Sequence, residues 1–365
     1  MKYPMKRIIL MCVGLMTLWG CDSTQNDGPN QDFDRKALLE NMADGLIIPA
    51  FTTLQQRTTA MEAAVRTFTE NPNATNLIAA QQAWEAAYLT WQSCNAYNFG
   101  PGELPVFGTL TDNIGVFPVS TQKIENNITT QNLSFDNFDR DARGFLALDY
   151  LLFDLEGNDR VLPKFTNPTR RQYTRQVAQD IVTKVTAVRT GWDAYRTSFV
   201  ANVGTDAGSS TAVLYNEFVK SFEAAKNFKV QLPAGQRAGQ TAPEPTRVEA
   251  YYSGKSMVFL EAHLTAIQNI WEGKKANGQD GIGFEEYLEA VEGGKDLITQ
   301  TRNQLTSVRQ AKTRVPAGSL SQTIRTNLSI VQDLGVELQK QTRFYKSDMA
   351  SLLGIAITFN SGDGD

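Results

Sequence analysis

The feature that most restricts the fold is a helical period that recurs from residue 34 almost to the C-terminus, with no convincing run of alternating apolar and polar residues beside it. In QQAWEAAYLTWQSCNAY, Trp84, Tyr88 and Trp91 stand at i, i+4 and i+7, one face of a helix. In YYSGKSMVFLEAHLTAIQNIWEG, one stripe holds Tyr252, Ser256, Phe259, His263, Ile267 and Ile270, and an adjoining one holds Leu260, Leu264, Ile267 and Trp271. A helix apolar around that much of its girth is buried on several sides, and Gly273 is placed to stop it. Further helices are expected at about 34 to 70, 121 to 131, 137 to 154, 168 to 202, 211 to 229, 283 to 311 and 319 to 346. The class is therefore all-α.

Three irregular stretches organise these helices. NVGTDAGSS, residues 202 to 210, reads as the join between two halves. QLPAGQRAGQTAPEPT, 231 to 246, is a long Pro- and Gly-containing loop in the second half, and NFGPGELPVFGTLTDNIGVFPVS, 98 to 120, occupies the matching place in the first. The expected architecture is two helical bundles, 34–203 and 204–365, each carrying one long ordered loop.

Residues 1–20 combine Lys2, Lys6 and Arg7 with an apolar run of about a dozen residues, the pattern of a secretory signal. The run ends Leu18-Trp19-Gly20-Cys21, which resembles a bacterial lipobox, and a polar tether, 21–33, follows at once. Cys21 is thus the expected lipidation site, tying an exported protein to a membrane of the bacterial cell envelope, at the periplasmic or the cell-surface side; each buried methylene of an acyl chain contributes roughly 0.8 kcal/mol. Losing the signal leaves 32 basic against 39 acidic residues, a charge of −7, which argues against a nucleic-acid partner. Cys12 leaves with the signal and Cys21 takes lipid, so Cys94 has no disulfide partner and reads as a small core residue.

WQSCNAYNFGP, GVFPV, RGFLALDYLLF, KVQLPAGQRAGQTAPEPTRVEAYYSGKS, IQNIWEG with GIGFEEYLEAV, and LLGIAITFNSGDGD follow one another in an order and rough spacing that resembles the imelysin family, also catalogued as M75 peptidases. The resemblance covers nearly all of the mature chain. It implies two helical bundles packed pseudo-symmetrically around a cleft, in exported or lipid-anchored bacterial proteins linked to iron uptake. The peptidase label rests on a Gly-x-His-x-x-Glu motif proposed to bind metal.

Here the aligned residues are Gly144, Leu146 and Asp149, with Arg143 immediately before them. On a helix, i and i+3 share a face, so an imidazole and a carboxylate could reach one ion. Leucine cannot ligate, and the acid is one methylene shorter. Asn95 stands where relatives often carry a glutamate, and an amide is a weaker ligand. A catalytic zinc normally needs three protein ligands, and of these only Asp149 remains as a metal candidate. As an unpaired buried carboxylate would be costly, Arg143 or backbone groups are its alternative partners. The resemblance places Glu249, Tyr252, Ser253, Lys255 and Ser256 on one wall of the cleft, within two turns of a helix start whose free N–H groups could meet a ligand. His263, the one histidine, reads as a core residue on a buried stripe, with a cleft-facing role as the alternative.

The resulting expectation is a lipid-anchored, non-catalytic component that binds a ligand or metal, linked to iron or haem uptake. Its expected partners are the membrane, through Cys21, and proteins of an uptake system; its expected cofactor, if any, is iron or another divalent metal ion. The alternatives are a structural or protein-docking lipoprotein and, less favoured, an M75-type metallopeptidase using Asp149.

Overall fold

The computed structural model describes residues 33–104, 108–135 and 139–359. The signal segment, Cys21 and the terminal SGDGD lie outside the described residues, as does the tether apart from Phe33. The chain is all-α. Its first half holds α1 (Arg35–Glu40), which continues through a π-helical stretch (Asn41–Ile47) into α2 (Ile48–Glu70), then α3 (Ala74–Trp91), α4 (Leu110–Ile114), α5 (Thr121–Thr130), α6 (Phe145–Leu152), α7 (Asn158–Val161) and α8 (Pro168–Ala201). Its second half holds α9 (Ser210–Ala224), running into a π-helical stretch (Ala225–Gln231), then α10 (Ser256–Glu272), α11 (Phe284–Glu289), α12 (Gly294–Arg314), α13 (Leu320–Thr326) and α14 (Leu328–Arg343). A third π-helical stretch (Phe344–Met349) leads from α14 to α15 (Ala350–Leu352).

Local chemistry fixes the helix starts. The Asn167 side chain accepts from the N–H groups of Thr169 and Arg170 with Pro168 at the first helical position, so α8 begins where backbone donors would otherwise be unsatisfied. Ser209 caps α9 through the Ala212 N–H, and Asn73 caps α3 through that of Asn76. In the first half α2 lies along α3 and α8; in the second α12 lies along α14, which also meets the second and third π-helical stretches. Helix α10 touches α3, α9 and α11 and so stands at the seam. There the Trp84 indole donates to Phe145 O at 2.8 Å, and Phe259 sets its ring edge-on to Trp84 and Tyr88. The periodic aromatic stripe is therefore buried at the seam, where Tyr88 and Trp91 also line a cavity, each such side chain contributing roughly 1.5–3 kcal/mol on burial.

Several expected boundaries move. The run expected over 137 to 154 is α-helical only over Phe145–Leu152, because Gly144 at φ +81° separates it from a 3-10 turn at Arg140–Ala142. The run expected over 283 to 311 splits at Gly293 (φ +79°), and a side chain on the neighbouring Gly294 would strike the Leu288 carbonyl. That expected over 319 to 346 breaks at Asn327. The stripe beginning at Tyr252 becomes helical only at Ser256, since residues 249–254 form a turn with Ala250 at φ +51°. Among the described residues the strands are one two-residue antiparallel pair, β1 (Glu103–Leu104) and β2 (Gly108–Thr109). No helix among them is long and apolar enough to cross a membrane.

Candidate functional site

Of the cavities that open between the halves, two share Phe117 and are separated by residues 248–250. Val248 and Ala250 face one, and Glu249 faces the other.

The first, about 530 Å³, holds the α6 motif. Gly144 is required there: its φ of +81° is the left-handed region, and a Cβ would come within 2.6 Å of the Ile114 carbonyl oxygen. Leu146 and Asp149 then line the cavity opposite Val248, Ala250, Tyr251 and Tyr252. The Asp149 carboxylate is buried, accepting from the Tyr252 N–H through Oδ2 at 3.0 Å and the Ser253 N–H through Oδ1 at 3.1 Å. Burial pushes its pKa up to about 6, outweighing the opposing pull of the Ser253 and Tyr252 donors. Backbone groups, not Arg143, are thus its partners: the Arg143 guanidinium donates to Phe135 O and, at 2.7 Å, to Asn113 Oδ1.

The N–H groups of Tyr252 and Ser253, expected to be free at a helix start, are instead the donors that hold Asp149. Ser253 Oγ donates to Ala250 O at 3.4 Å and Ser256 Oγ to Glu249 O, so both hydroxyls shape the turn. Lys255 reaches Glu85 at 2.7 Å.

As a metal centre this cavity fits poorly. Leu146 supplies no lone pair, and no group of three His, Cys, Asp or Glu suited to an ion occurs among the described residues.

The second cavity, about 430 Å³, is lined by Tyr88, Trp91 and Asn95 from the first half and Lys229, Glu249 and His263 from the second. Glu249 is buried; its Oε1 accepts from the Tyr88 hydroxyl at 2.6 Å and sits 2.8 Å from Lys229 Nζ. Burial lowers the Lys229 pKa, against the attraction of Glu249, and together with Glu249 raises that of Tyr88 well above the usual phenol range.

The polarity of the surrounding network follows from Lys229, which can only donate. It donates to Gln92 Oε1 at 2.7 Å, leaving Gln92 Nε2 to donate to Tyr88 O. Asn95 Nδ2 also gives to Gln92 Oε1, so Asn95 Oδ1 faces Ser221, whose hydroxyl donates to it at 3.1 Å. Ser221 Oγ must then accept from His263 Nε2–H, 2.7 Å away. His263 is neutral, burial and the Lys229 charge holding its pKa well below the usual value, and Nδ1 carries the lone pair.

The structure therefore divides the residues singled out by sequence. Asp149, Leu146 and Tyr252 line one cavity; Asn95 and Glu249 line the other; Gly144, Arg143, Ser253 and Ser256 build the frame. His263 is buried as expected, yet it also lines the second cavity. Lys229, Gln92, Ser221 and the Tyr88 hydroxyl escaped the sequence reading; the one available signal was a lysine amid the apolar residues of NFKVQL. Cys94 is buried and free, its thiol pKa pushed up by burial. A third hollow, about 570 Å³ against α2, α3 and α10, has only Lys274 and Lys275 as ionisable side chains besides the Tyr97 phenol.

Comparison with known proteins bears on this arrangement. The profile of the imelysin (M75 peptidase) family matches residues 47–341. Iron-regulated protein A of Synechococcus elongatus is 24% identical over 355 residues, covering 93% of this chain and 90% of that protein. The crystal structure of an imelysin-like protein from Psychrobacter arcticum superposes with a TM-score of 0.71 at 15% identity, over 89% of this chain and 97% of the other. That of a Parabacteroides distasonis protein described as an iron-regulated protein A precursor gives 0.62 at 17% identity, over 86% and 95%.

Proposed function

The chain belongs to the imelysin family, and from that premise we propose that it is an iron-linked binding protein of the bacterial cell envelope, exported and anchored through lipidated Cys21, which holds its ligand between the two bundles without cleaving it. The observation that carries this reading is the Tyr88–Glu249–Lys229 cluster on the wall of the second cavity. A buried ion pair contributes little net stability, because desolvation offsets its attraction, so recognition is the better reason for building one into a cavity. The names of the cyanobacterial relative and the Parabacteroides neighbour support the iron link, and the word precursor supports export. The leucine at 146, which cannot ligate a metal, supports binding over hydrolysis.

Three measurements test it. Protein levels are compared in iron-starved and iron-replete cells, and the purified mature chain is assayed for proteolysis. Induction by starvation with no cleavage is expected. Cleavage abolished by Asp149→Ala would replace the reading with a peptidase, and iron-independent expression would remove the iron link. Acyl labelling lost in Cys21→Ala is the expected signature of the anchor.

A further inference from the structure

Both Glu249 Oε2 and His263 Nδ1 are buried and lack a hydrogen-bond partner, although each residue lines the second cavity. An unpaired buried polar atom is costly, typically by about 1–3 kcal/mol. Both atoms are acceptors: the first belongs to a carboxylate, and the second has been assigned its lone pair by the hydrogen-bond chain from Lys229 through Gln92, Asn95 and Ser221. Lys229 uses two of its three ammonium hydrogens, on Gln92 and Glu249, and keeps a third. A hydroxyl group suits this wall, since it can accept from Lys229 while donating to Glu249 or His263.

The charges around the cavity are already paired. Lys229 meets Glu249, Lys220 meets Glu217 at 2.5 Å, and Asp112 lies 3.7 Å from Arg140. A bare cation would enter beside the Lys229 ammonium, and a bare anion beside Glu249 and Glu217. Trp91, Phe117 and Phe228 supply ring faces and edges, and Phe228 is 48% exposed. Aromatic surface beside oriented polar groups is the composition that recognises small organic molecules.

We propose that this cavity takes an uncharged aromatic ligand bearing hydroxyl donors, of the phenol or catechol class, and does not take a bare metal ion. The inference rests on the reading of the chain as an envelope binding protein and names the ligand chemistry of that site.

The test uses the mature protein, dialysed against chelator, in calorimetric titrations with catechol, with 1,2-dimethoxybenzene and with ferric ion as its nitrilotriacetate complex. Catechol is expected to bind at least tenfold more tightly than dimethoxybenzene, which keeps the ring and loses both donors. Glu249→Gln and His263→Phe are each expected to weaken catechol at least tenfold and to leave dimethoxybenzene unchanged. Should either variant fail to fold, Phe228→Ser, at a half-exposed side chain, is expected to weaken both rings. Equal affinity for the two rings, or no binding of either, overturns the inference. Binding of ferric ion alone overturns it while leaving the iron-linked binding reading standing. Failure of all three probes together with iron-independent expression removes both.

Discussion

Asp149 shows what a single residue can and cannot do here. Its folded pKa of about 6 lies above the ordinary 3.8, so the folded state binds a proton more readily than the unfolded chain does. Stability from this group is therefore present below about pH 4 and is lost as pH rises through about 6, by about 3 kcal/mol in all. Asp149→Asn is expected to flatten that part of the stability profile in denaturant titrations between pH 4 and 6.5, and to cost about 1 kcal/mol for the N–H left with a poorer acceptor. An unchanged slope would mean that other groups set it. Gly144→Ala is expected to lose about 2–4 kcal/mol, because the new methyl meets the Ile114 carbonyl at a φ that L-residues avoid; chemical denaturation reads this directly. Leu146→His, which rebuilds the family's imidazole, is expected to acquire no stoichiometric metal by elemental analysis, since the new imidazole and Asp149 make two ligands where a catalytic zinc normally takes three. The glycine, the lost imidazole and the shortened acid were all legible in RGFLALDYLLF. Backbone donors were one of the two partners expected for Asp149, but which donors was not legible, because they lie more than a hundred residues away in a turn whose geometry depends on Ala250 at positive φ.

Among the elements, the first two π-helical stretches shift side-chain register where the chain meets the seam, and such widened turns are frequent at functional sites. Lys229 lies in the second stretch and points to Glu249, while Asn41, at the start of the first, donates to the carbonyls of Gly273 and Ile282 at 2.7 and 2.9 Å. Lys229→Met is expected to destabilise by about 3–5 kcal/mol, because it strands the Glu249 carboxylate in a buried site. Adding Glu249→Gln should restore much of that loss, giving a clear non-additivity in a double-mutant cycle. Simple additivity would show that the pair is not coupled. The helical period reported these elements well, and the misjudged ends lie at glycine and asparagine breaks between residues of good helical pattern, where period alone carries no stop signal.

At the scale of the whole molecule, the halves are joined by polar contacts as well as by the Trp84, Tyr88 and Phe259 rings. Tyr88 meets Glu249, Asp149 meets Tyr252 and Ser253, Lys255 meets Glu85, and Arg35 donates to the Tyr287 hydroxyl at 3.4 Å. Phe33 stacks on Tyr287 at 4.4 Å, bringing the start of the described chain onto the second half. The wild-type chain is expected to unfold in one calorimetric transition, and Asp149→Ala combined with Tyr88→Phe to broaden or split it. A double variant that retains one sharp transition would show that apolar packing alone couples the halves. By itself the sequence determined the all-α class, the helix-bearing segments and the loss of the motif's imidazole, because a 3.6-residue period and residue identity are local properties. Only the tertiary structure decided that Asp149 is held by a distant turn, that Glu249 faces a different cavity from its neighbours, and that Lys229 and His263 meet there with Tyr88. Those facts depend on which faces of helices far apart in the chain come together, and burial, which sets the charges and unfilled lone pairs of the site, exists only once they have.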